Sequence, residues 1–123
     1  MVVGLGIDIV ETDRIARIWH RYGEQFAQKI LTPTERAALP SSPVQTLAAR
    51  FAGKEAAVKA LGTGFAQGIT FQCMEILSRT NDKPELIFHG PAHTQATRLG
   101  VSHPHISVTH GRDNAVAVVV LEA

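Results

Sequence analysis

Cysteine is almost missing from this chain, and Cys73 is the only one. A single thiol excludes an intrachain disulfide framework and fits a reducing compartment. Its plain reading is a small side chain in or near the core. Net charge is also lacking. The formal balance is +1 over 123 residues, which gives no bulk electrostatic case for nucleic acid or an anionic membrane. No run is long and apolar enough to span a bilayer. The first residues, MVVGLGIDIVETDR, lack a basic segment ahead of the apolar stretch and reach an aspartate at position 8, so they do not read as a secretory signal. The expectation is a cytoplasmic protein. Repeats, low-complexity segments and linkers are absent too, so residues 1–123 read as a single domain with one core.

What is present is organised around residues 50–64, RFAGKEAAVKALGTG. They read as the end of a long helix that starts at Ser42-Pro43 and stops at Gly62, the usual residue of a left-handed cap. Val44, Leu47, Ala48, Phe51, Val58 and Leu61 fall at helical spacing and predict the buried stripe. Glu55 falls about 20° round from Val44, inside that stripe, where a carboxylate is costly unless something compensates it. Lys59 follows one turn on, so the pair is either an ordinary i,i+4 ion pair or part of a site.

Residues 2–10 predict a strand. Val3, Leu5, Ile7 and Ile9 point to one face, and Gly4, Gly6 and Asp8 to the other. Two glycines on that face leave room for a backbone or ligand. Asp8 either caps the next helix or presents a free carboxylate. That helix runs from 12 or 13 to about 22, with Ile15, Ile18 and Trp19 inward. Arg14, Arg17 and Arg21 share another face, which is either simply solvated or docks an acidic partner. Phe26, Ile30 and Leu31 read as contacts across a short connection. Thr32-Pro33-Thr34-Glu35 is a helix start with a capping box, and the helix ends by Pro40.

After a loop at 65–68, strands are expected at 73–78 and 85–89 around the turn residues 80–84. A helix is expected at 92–99, then strands at 105–110 and 115–121, the last buried on both faces. Strand, helices, hairpin, helix, hairpin reads as α+β.

Asp8 and Glu55 are the first pair to test, although 47 positions separate them. Two carboxylates with few further ligands suit Mg²⁺, which takes the rest of its shell from water and phosphates, and Lys59 suits a phosphate oxygen. His103 and His105 share a strand face but His110 does not, and a second cysteine is lacking, which speaks against structural zinc. His110 reads as an anion contact or a satisfied polar residue. Gly62-Thr63-Gly64 ends a helix without a GK[ST] sequence, and Gly4-Leu5-Gly6 lacks a third glycine, so neither is a nucleotide fingerprint.

GLGIDIVETDRI, RFAGKEAAVKALGTG and ISVTH, with KILTPTE and NDKPE between them, resemble the holo-(acyl-carrier-protein) synthases over essentially the whole chain. These are the short, single-domain 4′-phosphopantetheinyl transferases. Asp82 stands where that family commonly has glycine. The resemblance implies the phosphopantetheinyl transferase fold, an antiparallel sheet packed on a long central helix. It implies transfer of 4′-phosphopantetheine from coenzyme A to a serine of apo acyl carrier protein, releasing adenosine 3′,5′-bisphosphate and supporting fatty acid biosynthesis. By the same resemblance Asp8 and Glu55 are Mg²⁺ ligands, and Glu55, Lys59 and Asp8 the catalytic set. Arg50, Phe51, Lys59, Gly62, Thr63, Gly64, Lys83, Pro84 and His110 are coenzyme A contacts, and Arg14 and Arg21 dock the carrier protein. A homotrimer with active sites between subunits is implied as well. A coenzyme-A-binding module without transfer, and an interaction protein using the Arg14 face, are the competing readings.

Overall fold

A computed structural model of the chain describes residues 1–78 and 83–123. The elements run β1 (Val2–Glu11), α1 (Thr12–Tyr22), α2 (Glu24–Ile30), α3 (Pro33–Ala37), α4 (Val44–Leu61), a 3₁₀ turn (Phe71–Cys73), β2 (Met74–Ser78), β3 (Pro84–Phe88), α5 (Gly90–Arg98), β4 (His103–His110) and β5 (Asn114–Glu122). This is the expected α+β order with one addition. Helix α2 replaces the short connection, because Phe26, Ala27 and Ile30 bury one face of a single helical turn pair. The expected turn residues 80–82 lie outside the described residues.

β1, β5 and β4 form an antiparallel sheet in that order, with Leu5 opposite Val120 and Asp8 opposite Ala117. β2 and β3 form a separate antiparallel hairpin, pairing Met74 with Phe88. α4 lies across the inner face of the larger sheet, packed mainly against β1 and β5. Its approach is close because both surfaces are small. A Cβ on Gly6 would overlap the Ala56 carbonyl oxygen and lie 2.8 Å from Ala60 N, and one on Gly4 would strike the Ala60 carbonyl. Ala115 and Ala117 continue the same low surface on β5. The glycine face of β1 therefore admits a helix backbone, as its spacing allowed.

Three expectations change here. α4 has Pro43 at its N-cap with no side-chain cap bond, so Ser42 is not the cap. β5 alternates buried and half-buried residues, because only one of its faces meets α4. The buried side of α4 also differs in part from the predicted stripe: Leu47, Ala48, Val58 and Leu61 are buried as expected, Val44 and Phe51 are not. Ala48, Ala49, Ala52, Gly53, Ala56, Ala57 and Ala60 are buried with Leu47, Val58 and Leu61, while Val44, Phe51 and Glu55 form its half-open seam and Lys59 is exposed. Lying on glycine and alanine, the helix brings its alanines inward beside Leu47, Val58 and Leu61.

Two predicted ends hold. Gly62 closes α4 in the left-handed conformation at φ 79°. Thr32 and Glu35 make the capping box, with Thr32 N donating to Glu35 Oε1 at 2.8 Å and Glu35 N to Thr32 Oγ1 at 3.3 Å.

Candidate active site

β1 continues three residues past Asp8, so Asp8 is an inward residue of the strand and not a helix cap. Strand alternation puts it on the glycine face, toward α4. The close packing of α4 on Gly4 and Gly6 then delivers Lys59 to it. Lys59 Nζ donates to Asp8 Oδ1 at 3.0 Å and to the Ile7 carbonyl at 3.0 Å. The ammonium stays half exposed while Asp8 is largely covered. One turn earlier, Glu55 is half-buried at the same seam. Burial pushes its carboxyl above the ordinary value, the Asp8 charge adds to that, and Lys59 and Arg14 work against it. Two carboxylates thus lie near enough for the charge of Asp8 to act on Glu55, and Lys59 bonds Asp8 across the two elements.

The donors of this arrangement suit a cation. Oxygen ligands from two rigid elements, repelling one another in the free chain, fit a hard divalent ion that keeps several positions for water and phosphate. No cluster of three or more acidic, histidine or cysteine side chains occurs among the described residues, so the fit is to a sparsely ligated ion and not to a closed cage.

A second cleft opens elsewhere on α4. Arg50, Thr46, Ser78, Pro84, Val108 and His110 line it. Arg50 Nη2 donates to Ser78 Oγ at 3.3 Å. Burial works against the guanidinium charge of Arg50, and Glu35 supports it. Arg50, Pro84 and His110 are therefore brought together in one cleft, which Phe51, Gly62, Thr63 and Gly64 do not line. Lys83 is exposed beside them in sequence.

Phe51 does not join that cleft. It faces an apolar groove with Ile18, Tyr22, Phe26 and Phe71. Its ring stacks on Phe71 at 5.5 Å between centroids, and the Arg14 guanidinium lies over it at 5.6 Å. Arg21 lies over Tyr22 at 5.3 Å. Both arginines border the groove. Gly62, Thr63 and Gly64 form the turn after α4, where Thr63 N and Gly64 N both donate to the Val58 carbonyl.

The residues overlooked in the sequence are Ser78, Phe71 and Lys54. Lys54 carried a signal, since it is a second charge beside Glu55 in a run of alanines. Ser78 and Phe71 carried none, because only the tertiary fold brings them to α4.

A family model described as the 4′-phosphopantetheinyl transferase superfamily matches residues 4–119, so this small α+β sheet-and-helix chain is a transferase of that class. A holo-(acyl-carrier-protein) synthase of Maridesulfovibrio salexigens is 58% identical over 123 residues, covering 99% of each chain. Among solved structures, the synthase of Neisseria meningitidis aligns over 100% of both chains with TM-score 0.90 and 38% identity. That of Bacillus anthracis, solved in complex with CoA (3′,5′-ADP), aligns over 100% of this chain and 98% of its own with TM-score 0.81 and 35% identity. The chain belongs to the holo-(acyl-carrier-protein) synthase family.

Proposed function

We propose that this chain, acting as one domain, moves the 4′-phosphopantetheine arm of coenzyme A to a serine of an apo acyl carrier protein. The observation that carries the proposal is the meeting of Asp8, Glu55 and Lys59 at the β1–α4 contact. The serine oxygen bonds to the β-phosphorus, and the bond from that phosphorus to the bridging oxygen breaks. Adenosine 3′,5′-bisphosphate leaves. Glu55 takes the serine proton, directly or through a water that it holds. Lys59 offsets charge that grows on the phosphate oxygens. Asp8 orients Lys59 through their 3.0 Å bond. Asp8 and Glu55 would hold Mg²⁺, which when bound supplies positive charge against the diphosphate.

Arg50 and His110, with Lys83, Pro84 and the 62–64 turn, are the contacts proposed for the nucleotide. Phe51 belongs with the apolar groove. Acyl carrier proteins are acidic, so Arg14 and Arg21 at the rim of that groove are proposed to dock the carrier over it. The assembly proposed is a homotrimer with sites between subunits, and the outer sheet face, where Leu5, Ile7 and Ile9 are 65%, 61% and 62% exposed, supports burial against further copies. No helix among the described residues is long and apolar enough to cross a membrane. A cytoplasmic role in fatty acid synthesis completes the reading.

Mass spectrometry tests it directly. Apo carrier protein incubated with coenzyme A, Mg²⁺ and this chain should gain the mass of the arm, and Glu55→Gln should abolish the gain. Coenzyme A binding with no mass gain on the carrier would replace the transferase by a binding module. Full transfer by Glu55→Gln would remove Glu55 from the mechanism.

A further inference from the structure

Lys54 is the one lysine among the largest fully buried side chains, and the proposed chemistry does not use it. Its ammonium meets Glu35 Oε1 at 2.6 Å, the Ile30 carbonyl at 2.6 Å and the Phe71 carbonyl at 3.0 Å. All three of its protons are therefore spoken for, each by a different element. Glu35 extends the set. Its Oε1 also accepts from Thr32 N at 2.8 Å, and its Oε2 accepts from Ile76 N at 2.9 Å. One ion pair on α4 and α3 thus holds the end of α2, the 3₁₀ turn and β2.

The same end of α2 is held a second time from outside the core. Gln72 Nε2 donates to the Gln28 carbonyl at 2.8 Å and the Leu31 carbonyl at 2.6 Å. The last carbonyls of α2 are the negative end of that helix, so a lysine and an amide are suitable partners for them. Phe26 and Ile30 on α2 and Phe71 on the 3₁₀ turn are walls of the aromatic groove around Phe51. Phe51 lies one turn before Glu55, under Arg14.

Stability alone does not account for such a pair. Apolar residues of equal volume commonly hold a core as well as a buried ion pair does, because of the cost of desolvating both charges. Packing, however, is non-directional. Three fixed hydrogen bonds set the angle of each element they touch. We infer that Lys54 is a positioning residue: with Glu35, and seconded by Gln72, it fixes α2 and the Phe71 turn as the wall against which the carrier protein docks. This rests on the carrier-docking part of the proposed function.

The test uses two variants and two readouts. Lys54→Met/Glu35→Gln removes both charges together and keeps an amide oxygen for one of the two backbone donors, Thr32 N or Ile76 N. Gln72→Ala removes the outer clamp from an exposed position and buries nothing. Amide hydrogen exchange should quicken in residues 24–31 and 70–73 of either variant, while α4 and β5 keep their protection. Steady-state kinetics should show the KM for carrier protein rising roughly tenfold in the double variant and less in Gln72→Ala, with the KM for coenzyme A and kcat of Gln72→Ala within about twofold of the parent. Unchanged exchange in Gln72→Ala and the double variant overturns the inference. So does altered exchange with an unaltered carrier KM, which would leave the pair purely structural. If the double variant does not fold, Gln72→Ala decides by the same two readouts. Absence of any transfer by the parent chain would instead defeat the function proposed above, and the docking role inferred for Lys54 with it, while the exchange result would still judge whether these residues hold α2 in place.

Discussion

Glu55 is held at a cost. Its carboxyl is raised by burial first and by Asp8 second. The native chain thus binds its proton more tightly than the unfolded chain does. By linkage, stability falls as pH rises from the ordinary carboxylate value through the raised native one, and the loss is complete above it. In metal-free protein, Glu55→Gln should therefore melt above the parent at neutral pH, and the difference should close as pH falls below the ordinary carboxylate value. Thermal denaturation in EDTA across pH checks this; a variant that melts lower at neutral pH contradicts it. The same substitution should abolish transfer, so stability and activity move in opposite directions. Asp8, Glu55 and Lys59 were all visible as candidates in the sequence, but for a partly mistaken reason. The helical phase placed Glu55 in the buried stripe, whereas the structure places it on the half-open seam with Lys59 exposed beyond it. Hydrophobic spacing marks the large residues of a helix, and this helix buries a row of alanines beside Leu47, Val58 and Leu61 that the spacing did not weigh.

At the scale of elements, the contact of β1 with α4 is the feature that makes the site. It is close because Gly4 and Gly6 meet Ala56 and Ala60 backbone to backbone. Gly6→Ala should cost about 3 kcal/mol or more, since neither backbone has room to yield. It should also displace Lys59 from Asp8. Gly53 on the same helix makes the control. A Cβ there meets only side-chain ends, Ile76 Cδ1 at 2.6 Å and Ile106 Cδ1 at 3.2 Å. Both can shift, and alanine gains about 1 kcal/mol of helix propensity over glycine. Gly53→Ala should stay within about 1 kcal/mol of the parent in urea denaturation. Similar losses in both variants would mean that the β1–α4 approach is not the tight point. Glycines on one strand face announced that approach, but not which element would fill it. The α3 capping box was equally legible, because its partners lie three residues apart. Helix α2 was not, since its seven residues show too few turns for a period to emerge. The pairing of Lys54 with Glu35, 19 positions away, has no local signal at all.

At the scale of the whole molecule, the larger sheet has α4 on one face only. On the other, Leu5 lies opposite Val120, Ile7 opposite Val118 and Ile9 opposite Val116. Such an apolar strip is suited to burial against further copies of the chain. If the proposed trimer forms through this strip, Leu5→Glu should leave the circular dichroism spectrum intact but convert trimer to monomer in analytical ultracentrifugation, because it introduces a charge where the strip would be desolvated. Transfer activity should fall about tenfold or more with it, although Leu5 touches none of the proposed site residues. The two clefts on α4 say why activity would depend on assembly. Arg50 and Glu55 are five residues apart on one helix, about 140° round from each other. Arg50 opens toward Ser78, Pro84 and His110, while Glu55 opens toward Asp8 and Arg14. A coenzyme A molecule that uses both sets is best served if the two come from neighbouring subunits. Arg50→Ala and Glu55→Gln should each be inactive as pure proteins. Co-expressed and purified as mixed assemblies, they should regain transfer, since roughly one site in three of each mixed trimer then pairs an intact carboxylate set with an intact Arg50 cleft. Mixed assemblies that stay inactive would assign Arg50 to the same subunit's carboxylates, and would require coenzyme A to wrap α4 from one side to the other.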